Sequence, residues 1–453
     1  MTSIPFGSSS YERAEGDLPA LPVVNMYAEE SPTEEGGVVL QSRPPLVDRS
    51  ASMGSGPVEA LYKADGVLSG ALFGVSQGKI YKETTSLGLI VGSGPVSMVG
   101  NELGLMATAG GALRYYDGAT LADVAFPDGA NVIKVIEGAS RIIALREGSG
   151  KVYWTDPLEV DVEATDFATA ETAPDNNLDA LFIDDILILF GSETVEFWPN
   201  TSSATLPFAP LEGRVIERGI KSTGCAASIG GTFAWVTNQN EVCLQDENTI
   251  ISNTGLQTRI AASVDVRLFT FFIDGVEFLA LRIDGETQVW NKRTGAWSEF
   301  ATDSETNWVA QCHAGGVFGS ATDGKTFAWG SDKVDAVAPS GVLERRFRAG
   351  AVVNSGGFTV NNLQIRMNPG HTPYLTGDYI NPIVEMRMSR DAGQTWGNWR
   401  SADMGEQGKY KTKVQWRGLG QASYPAFLAE FRVTDPVPFR VSDVLINEPW
   451  GGR

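Results

Sequence analysis

A segment near the C-terminus has the residue types and spacing of an Asp box, Ser-x-Asp-x-Gly-x-Thr-Trp. Its defining residues are Ser389, Asp391, Gly393, Thr395 and Trp396. In such a turn the aspartate accepts hydrogen bonds from main-chain N–H groups, the glycine adopts a positive φ, and the tryptophan packs under the hairpin. Because turns of this kind lie away from the chemistry in the proteins that contain them, we predict a structural role for the segment and no catalytic role.

A basic cluster, Arg345, Arg346 and Arg348, lies within one short segment. A sialidase-type pocket needs arginines that converge from several segments, and a glycosidase needs two carboxylates that flank the sugar. With 55 acidic residues in the chain, some pair can always be chosen, so such a choice carries no information. We therefore predict that the arginines form an interface or a solvated face. A carbohydrate-binding or glycan-cleaving propeller is the alternative, because Asp boxes also occur in sialidases.

The histidines and cysteines are too few and too scattered to form a reactive centre. The two histidines, His313 and His371, lie in no recognisable nucleophile motif, and the sequence contains no G-x-S-x-G. Cys312 and His313 could supply two zinc ligands, but zinc requires at least three from the protein. The sequence also lacks a Walker loop and a dinucleotide-binding G-x-G-x-x-G after a strand. These observations predict no catalytic site, no metal and no cofactor.

The charge of the chain restricts its partners. The 453 residues carry a net charge of −20, with 42% hydrophobic and 20% charged residues. A general nucleic-acid binder needs a basic surface, so this class is excluded, although an acidic wall past which DNA slides is not. No apolar run reaches 18 residues, and residues 1–17 lack the features of a secretory signal. We therefore expect neither a membrane span nor a cleaved leader.

A hairpin pattern recurs between about residues 60 and 335. Each copy has a short apolar strand, a turn rich in glycine, and a second strand rich in aromatic residues. The copies are marked by Leu72, Leu105, Ile143, Ile186, Phe233, Leu279 and Val317, which are 33 to 47 residues apart. This spacing is typical of four-stranded propeller blades, and it predicts six to eight blades, with seven favoured. An array of sandwiches or two barrels, or a mixed fold, would be alternatives. Residues 212–220 are the best candidate for a helix, of a turn or two.

The pattern divides the all-β chain into three parts. Residues 1–50 are predicted to be an extended N-terminal arm, and residues 51–343 a β-propeller-like platform. Residues 344–453 are predicted to form a C-terminal β-sandwich-like domain, because alternating polar and apolar runs are separated there by turns. The five runs are residues 359–366, 383–388, 411–417, 427–433 and 439–445.

The order of several short motifs resembles that of the tail hub of short-tailed phages, also called the packaged-DNA stabilization, tail accessory or nozzle protein. The Asp box and the terminal strands complete the order. The matching segments are residues 21–27, 43–46, 78–81, 92–98, 190–197 and 217–220.

The resemblance implies a homohexameric tube in the virion tail, assembled in the host cytoplasm below the portal and its adaptor ring protein. Such a tube retains packaged DNA and lets double-stranded DNA pass during ejection without specific binding. It carries tailspikes or tail fibres and holds a needle or plug at its tip. The family is also expected to contain a propeller, which agrees with the hairpin repeat counted independently. We accordingly predict a structural protein that is not an enzyme.

Overall fold

Five strands lie within the first 52 residues of the computed structural model. They are β1 (Thr2–Ser3), β2 (Val23–Val24), β3 (Met26–Glu30), β4 (Val38–Ser42) and β5 (Leu46–Ser52). The structure describes residues 2–10, 20–32, 37–170, 175–302, 306–331, 341–353, 357–422 and 424–447. The sequence predicted an extended arm here, and its strands pair with elements far along the chain.

Four-stranded antiparallel units follow one another between residues 58 and 329, and the described residues form seven of them. The first two units are β6 (Val58–Tyr62), β7 (Phe73–Ser76), β8 (Lys79–Lys82) and β9 (Thr85–Leu89), then β10 (Ser97–Asn101), β11 (Gly104–Thr108), β12 (Arg114–Tyr116) and β13 (Leu121–Asp123). The next two are β14 (Val132–Gly138), β15 (Arg141–Arg146), β16 (Lys151–Trp154) and β17 (Phe167–Thr169), then β18 (Asn177–Ile183), β19 (Ile186–Gly191), β20 (Val195–Pro199) and β21 (Val215–Ile216).

The remaining three units complete the series. They are β22 (Ala226–Ile229), β23 (Thr232–Val236), β24 (Val242–Leu244) and β25 (Asp246–Ile250), then β26 (Val266–Ile273), β27 (Val276–Ile283), β28 (Glu286–Asn291) and β29 (Trp297–Phe300), and last β30 (Ala310–Ala314), β31 (Val317–Ser320) and β32 (Lys325–Trp329). The innermost strands of successive units pack side by side, and β30 packs on β6, so the ring is closed. The predicted β-propeller is confirmed, and each marker of the hairpin repeat lies in or directly before the second strand of a unit.

The seventh unit obtains its fourth strand from the N-terminal region. β5 pairs antiparallel with β32, with Leu46 opposite Trp329 and Val47 opposite Ala328. Leu46 is buried, whereas Asp48 and Arg49 are exposed at the outer edge. Charged residues at an exposed edge hinder pairing with a further strand, so β5 both completes the ring and protects its rim.

Each junction between neighbouring blades is bridged by a polar contact from a side chain. Because the inner strands of different blades do not share a hydrogen-bond ladder, these contacts satisfy polar groups that would otherwise be buried unpaired. In order around the ring the pairs are Tyr62–Gly100, Ser97–Val135, Lys134–Asp179, Thr223–Leu178, Cys225–Val266, His313–Thr270 and Gln311–Val58.

The C-terminal strands build the predicted β-sandwich. They are β33 (Arg345–Val352), β34 (Phe358–Met367), β35 (Ile383–Ser389), β36 (Arg400–Asp403), β37 (Val414–Ala422), β38 (Ala426–Val433) and β39 (Arg440–Ile446). One sheet has the order β3-β4-β39-β34-β37, with β1 on β39, and the facing sheet has the order β2-β33-β38-β35-β36. The apolar core lies between the sheets, where Phe347 stacks on Phe431 with ring centroids 5.0 Å apart.

A two-residue strand joins the propeller to the sandwich. β2 pairs in parallel with β29 of the sixth blade and antiparallel with β33, so that one nine-stranded sheet runs through both units. Asn25, the residue after β2, accepts from Arg43 Nε at 2.8 Å and donates to the Glu344 carbonyl at 2.8 Å. The segments at 21–27 and 43–46, which the resemblance singled out, therefore meet at the joint.

The helix prediction for residues 212–220 is wrong. This segment contains β21, and Gly219 lies so close to the Ser192 carbonyl that a Cβ would be 2.1 Å from its oxygen. The α-helix found in the described residues is α1 (Thr254–Ala262), where the Asn253 side chain caps the Leu256 N–H. An asparagine N-cap is a favourable helix start.

Candidate interaction surface

The alternation of β33 divides the arginine cluster between two environments. Phe347 points into the sandwich core, so Arg345 shares its inward side, while Arg346 and Arg348 stand on the outer face. Arg345 is 1% exposed, and its guanidinium donates to the carbonyls of Val433, Asp435 and Val437. Burial lowers the pKa of Arg345 to about 10. Its charge is held inside the chain and is not presented to a partner.

A buried carboxylate organises the outer arginines. Glu430 lies opposite Arg348 of β33 on one side and opposite Arg387 of β35 on the other. Its side chain is fully buried; Oε1 is 3.2 Å from Arg348 Nη2 and 3.7 Å from Arg346 Nε, while Oε2 pairs with Arg387. A buried charge is tolerated when it is paired and hydrogen-bonded. Burial lowers the pKa of Arg348, and the nearby Glu430 opposes that shift.

Two tryptophans interleave with the arginines in a regular stack. The guanidinium carbons of Arg348 and Arg387 lie 4.8 and 4.9 Å from the ring centre of Trp396. Those of Arg387 and Arg432 lie 4.6 and 4.1 Å from the ring centre of Trp399. Cations on aromatic faces attract the ring quadrupole, so the five side chains hold one another in place. We call this surface the arginine–tryptophan face: Arg346, Arg348, Glu385, Arg387, Trp396, Trp399, Glu430 and Arg432.

The Asp box sets the position of Trp396 in this stack. Asp391 accepts from the Thr395 N–H at 2.9 Å and from the hydroxyls of Thr395 and Ser389 at 2.6 and 2.7 Å. Gly393 has φ +92° and donates to the Ser389 hydroxyl at 2.8 Å. The hydrogen bonds from Thr395 and Ser389 lower the pKa of Asp391 to about 2. The two residue sets chosen from the sequence therefore meet where Arg348 contacts Trp396.

The face also contains residues that sequence reasoning missed. Arg387, Trp399, Glu430 and Arg432 come from three other segments, and only the register of β33, β38 and β35 brings them beside Arg346 and Arg348. A signal was present in the charges that alternate with apolar residues along residues 385–387 and 430–432. Alternation of this kind predicts an outward row, but it does not tell which strands are neighbours.

Cys312 and His313, the two residues considered as zinc ligands, stabilise blade junctions, and so does Cys225. Cys225 donates to the Val266 carbonyl and Cys312 to the Val58 carbonyl. Burial raises the pKa of Cys225 to about 11 and that of Cys312 to about 12, so both thiols keep their protons. Burial lowers the pKa of His313, whose Nδ1 lies 2.7 Å from the Thr270 carbonyl. In the part of the chain that the structure describes, no group of three or more potential ligands converges on one point.

The outer arginines are engaged by a carboxylate of the protein itself, because the Glu430 side chain pairs with Arg346, Arg348 and Arg387. The Asp box lies in a turn whose carboxylate is already engaged by three donors. Across the described residues, no helix is long and apolar enough to cross a membrane.

Comparison with protein families identifies the class. The model described as "Bacteriophage P22 Gp10, beta-propeller" matches residues 2–268, and the model described as "Bacteriophage P22 Gp10, beta-sandwich" matches residues 344–447. The chain therefore belongs to the bacteriophage P22 Gp10 family, a propeller followed by a sandwich, which confirms the resemblance drawn from the sequence.

Individual proteins show only limited similarity to this chain. The tail hub protein gp10 of Salmonella phage P22 is 25% identical over 184 residues, which span 37% of this chain and 39% of that protein. Among solved structures, the β-propeller domain of Cps50 (Swd1) from Myceliophteria thermophila is 12% identical, with a TM-score of 0.40, covering 63% of this chain and 99% of that one. YCF48 from Cyanidioschyzon merolae is 11% identical, with a TM-score of 0.40, covering 63% and 98%. These scores are too low to support any inference about function.

Proposed function

We propose that the chain is a structural subunit of a phage tail hub and has no enzymatic activity. Six copies form a ring or tube below the portal and its adaptor ring protein. The tube retains packaged DNA, conducts it during ejection, anchors tailspikes or fibres, and holds a needle or plug. Assembly takes place in the host cytoplasm. Residues 51–343 act as the platform and residues 344–453 as the second domain, with residues 1–50 linking the two.

The observation that carries this proposal is the family match to both domains in the same order. The architecture supports it, because the ring of blades is closed and one nine-stranded sheet runs from the sixth blade into the sandwich. A tail component must keep its shape while DNA moves past it. A closed ring with short, protected sheet edges and a polar contact at every blade junction suits that task.

The charge supports a passive conduit. A net charge of −20 repels phosphate, so DNA that passes a wall of such subunits is not trapped. Salt screens this repulsion beyond about 10 Å at 0.1 M ionic strength, so that it acts close to the wall. The passage would lie between copies, and no specific binding of DNA is needed.

Electron microscopy of the purified chain over a range of concentrations tests the proposal. We expect closed rings with six-fold symmetry; a monomer at every concentration would contradict the proposal. A glycan array and a sialidase assay test the carbohydrate alternative, for which the Asp box is the motivation. Strong turnover in that assay would replace the structural function by an enzymatic one.

A further inference from the structure

The arginine–tryptophan face has the composition of a protein-binding surface. Tryptophan and arginine are enriched at the energetic centres of interfaces, because they bury large areas and retain polar contacts. Arg346, Arg387 and Arg432 keep 26 to 33% of their side chains exposed. Arg387 and Arg432 stack on Trp396 and Trp399, which fixes the geometry of these two arginines and reduces the entropy lost on binding.

The face is positive in an acidic protein. Four arginines stand beside Glu385, the fully buried Glu430, and Glu344 at the edge, 3.8 Å from Arg346. One positive charge is therefore left over on a surface whose chain carries −20 in total. Arginine forks fit carboxylates, so the matching partner is an acidic protein segment.

The same chain carries such a segment on its third blade. Residues 156–166, between β16 and β17, contain five acidic residues and no basic one. We call this segment the acidic loop. Glu159, Asp161 and Glu163 are exposed, and among the described residues none has a hydrogen bond or ion pair to its side chain. Leu158 is 49% exposed beside them, an apolar group that could pack on the tryptophan rings.

The acidic loop is held by main-chain hydrogen bonds and by one ion pair. The Leu158 N–H donates to the Ser140 carbonyl at 3.0 Å, and the Asp166 N–H to the Glu163 carbonyl at 3.2 Å. Asp156 is anchored by Arg141 at 3.1 Å. The loop is therefore presented in a fixed shape, as a preformed ligand would be.

The two surfaces lie on different sides of the ring. The sandwich is joined to the sixth blade, and the acidic loop belongs to the third, three blades away in a ring of seven. The two surfaces of one copy therefore cannot contact each other. A heterologous contact between unlike patches of neighbouring copies closes into a ring when the rotation allows it.

We propose that the arginine–tryptophan face of each copy binds the acidic loop of the next. This inference rests on the proposed function, because it assigns the contact by which the ring is built. Arg346 and Arg432 pair with loop carboxylates, and Leu158 packs on the exposed edges of Trp396 and Trp399.

Charge reversal in the loop tests the proposal. The variant Glu159→Lys/Asp161→Lys/Glu163→Lys should raise the dissociation constant for self-association, measured by sedimentation velocity, at least about 100-fold. The control Asp65→Lys/Glu102→Lys/Glu212→Lys reverses the same number of charges at exposed sites elsewhere. It should change the dissociation constant less than about threefold. Combining the loop variant with Arg346→Glu/Arg432→Glu should restore assembly. If thermal unfolding shows that Arg346→Glu/Arg432→Glu does not fold, the loop variant and a cross-linking experiment test the proposal.

A photoreactive residue at position 158 gives a second readout. Mixed ¹⁴N- and ¹⁵N-labelled chains should yield cross-links between copies, from position 158 to the peptide containing Trp396 and Trp399. Rings that form equally well in the loop variant, or cross-links that map elsewhere, overturn this inference and leave the tail-hub function intact. A wild-type chain that never assembles overturns both. Duplex DNA binding that is lost in Arg346→Gln/Arg432→Gln would make nucleic acid the partner and also overturn it.

Discussion

The propeller and the sandwich bury their apolar residues in different ways. In the described part of the propeller, the core is divided into clusters that lie between neighbouring blades, such as the one around Ile143 and Leu187. The sandwich holds one continuous cluster between its two sheets, centred on Phe347 and Phe431. The ring adds a polar contact at each junction, whereas the sandwich carries the arginine network around Glu430 on the outward face of one sheet.

This difference predicts local stability in the propeller and cooperative stability in the sandwich. When each blade contacts only its neighbours, stability is approximately a sum of nearest-neighbour terms, and damage stays near its origin. In the sandwich, every strand shares the same core, so a defect is felt by all of them. We expect the ring to tolerate defects one at a time and the sandwich to lose its structure as a unit.

The largest expected effect is in the sandwich core. Phe347→Ala should cost about 3–5 kcal/mol in unfolding free energy, because it leaves a cavity against Phe431. Hydrogen exchange followed by mass spectrometry should speed up in all strands of the sandwich. The matched change Ile143→Ala should speed exchange in the third and fourth blades alone; a rise around the whole ring would contradict the division into local clusters.

The next largest effect is at the outer network. Glu430→Ala should cost about 2–3 kcal/mol, because it leaves three arginines without the carboxylate that neutralises them. We place the value below the usual range for a fully buried pair, since the arginines are partly exposed. The control Glu385→Ala removes a half-buried partner of Arg432 and should cost less than about 1 kcal/mol. Denaturant unfolding distinguishes them, and equal costs would show that burial of Glu430 is irrelevant.

A blade junction should be less sensitive. Ser97→Ala removes the hydroxyl that donates to the Val135 carbonyl at 3.0 Å and accepts from its N–H at 3.1 Å. Two buried main-chain groups then lose their partner, at a cost of about 1–2 kcal/mol. Exchange should rise in the second and third blades, and no change in either blade would mean that water replaces the hydroxyl.

The smallest effects concern pH, and the two regions should respond in different windows. Burial lowers the pKa of His313 in the folded state, so the unfolded chain binds the proton first as pH falls. The free energy of unfolding therefore decreases as pH falls below about 6.5, the pKa of an unperturbed histidine. The pKa of Asp391 is about 2, so its contribution is present above about pH 3.9 and is lost as pH falls to about 2. His313→Gln and Asp391→Asn should each flatten the unfolding profile in its own window. A profile that either variant leaves unchanged would contradict that assignment.

The repeating strands were predictable because local patterns encode them. Alternating apolar residues and glycine turns found the second strand of each blade and the five runs of the sandwich. The outermost strands were harder to see, since short segments such as Leu121–Asp123 and Val215–Ile216 carry little apolar pattern. The helix Thr254–Ala262 was missed, although Asn253 provides a start signal, because its apolar stripe is weak.

The candidate site was predictable only in fragments. Trp396 and Arg348 were chosen for separate reasons, and nothing local in the sequence pairs them. Their contact depends on the register that places Glu430 between Arg348 and Arg387. Arg345 was grouped with its neighbours, but the two-residue period of β33 sends it inward. Long-range pairing of strands, which no local window reports, is the missing information.

The closing strand β5 has a consequence for biosynthesis. Ser52 leaves the ribosome early, but its partner Lys325 is translated more than 270 residues later. At usual elongation rates this delay is on the order of 15 to 55 seconds. During this delay the ring of the nascent chain is not yet closed, and the unpaired edge of β5 is available to other chains. The charged side chains of Asp48 and Arg49 then hinder premature pairing of this strand with another chain.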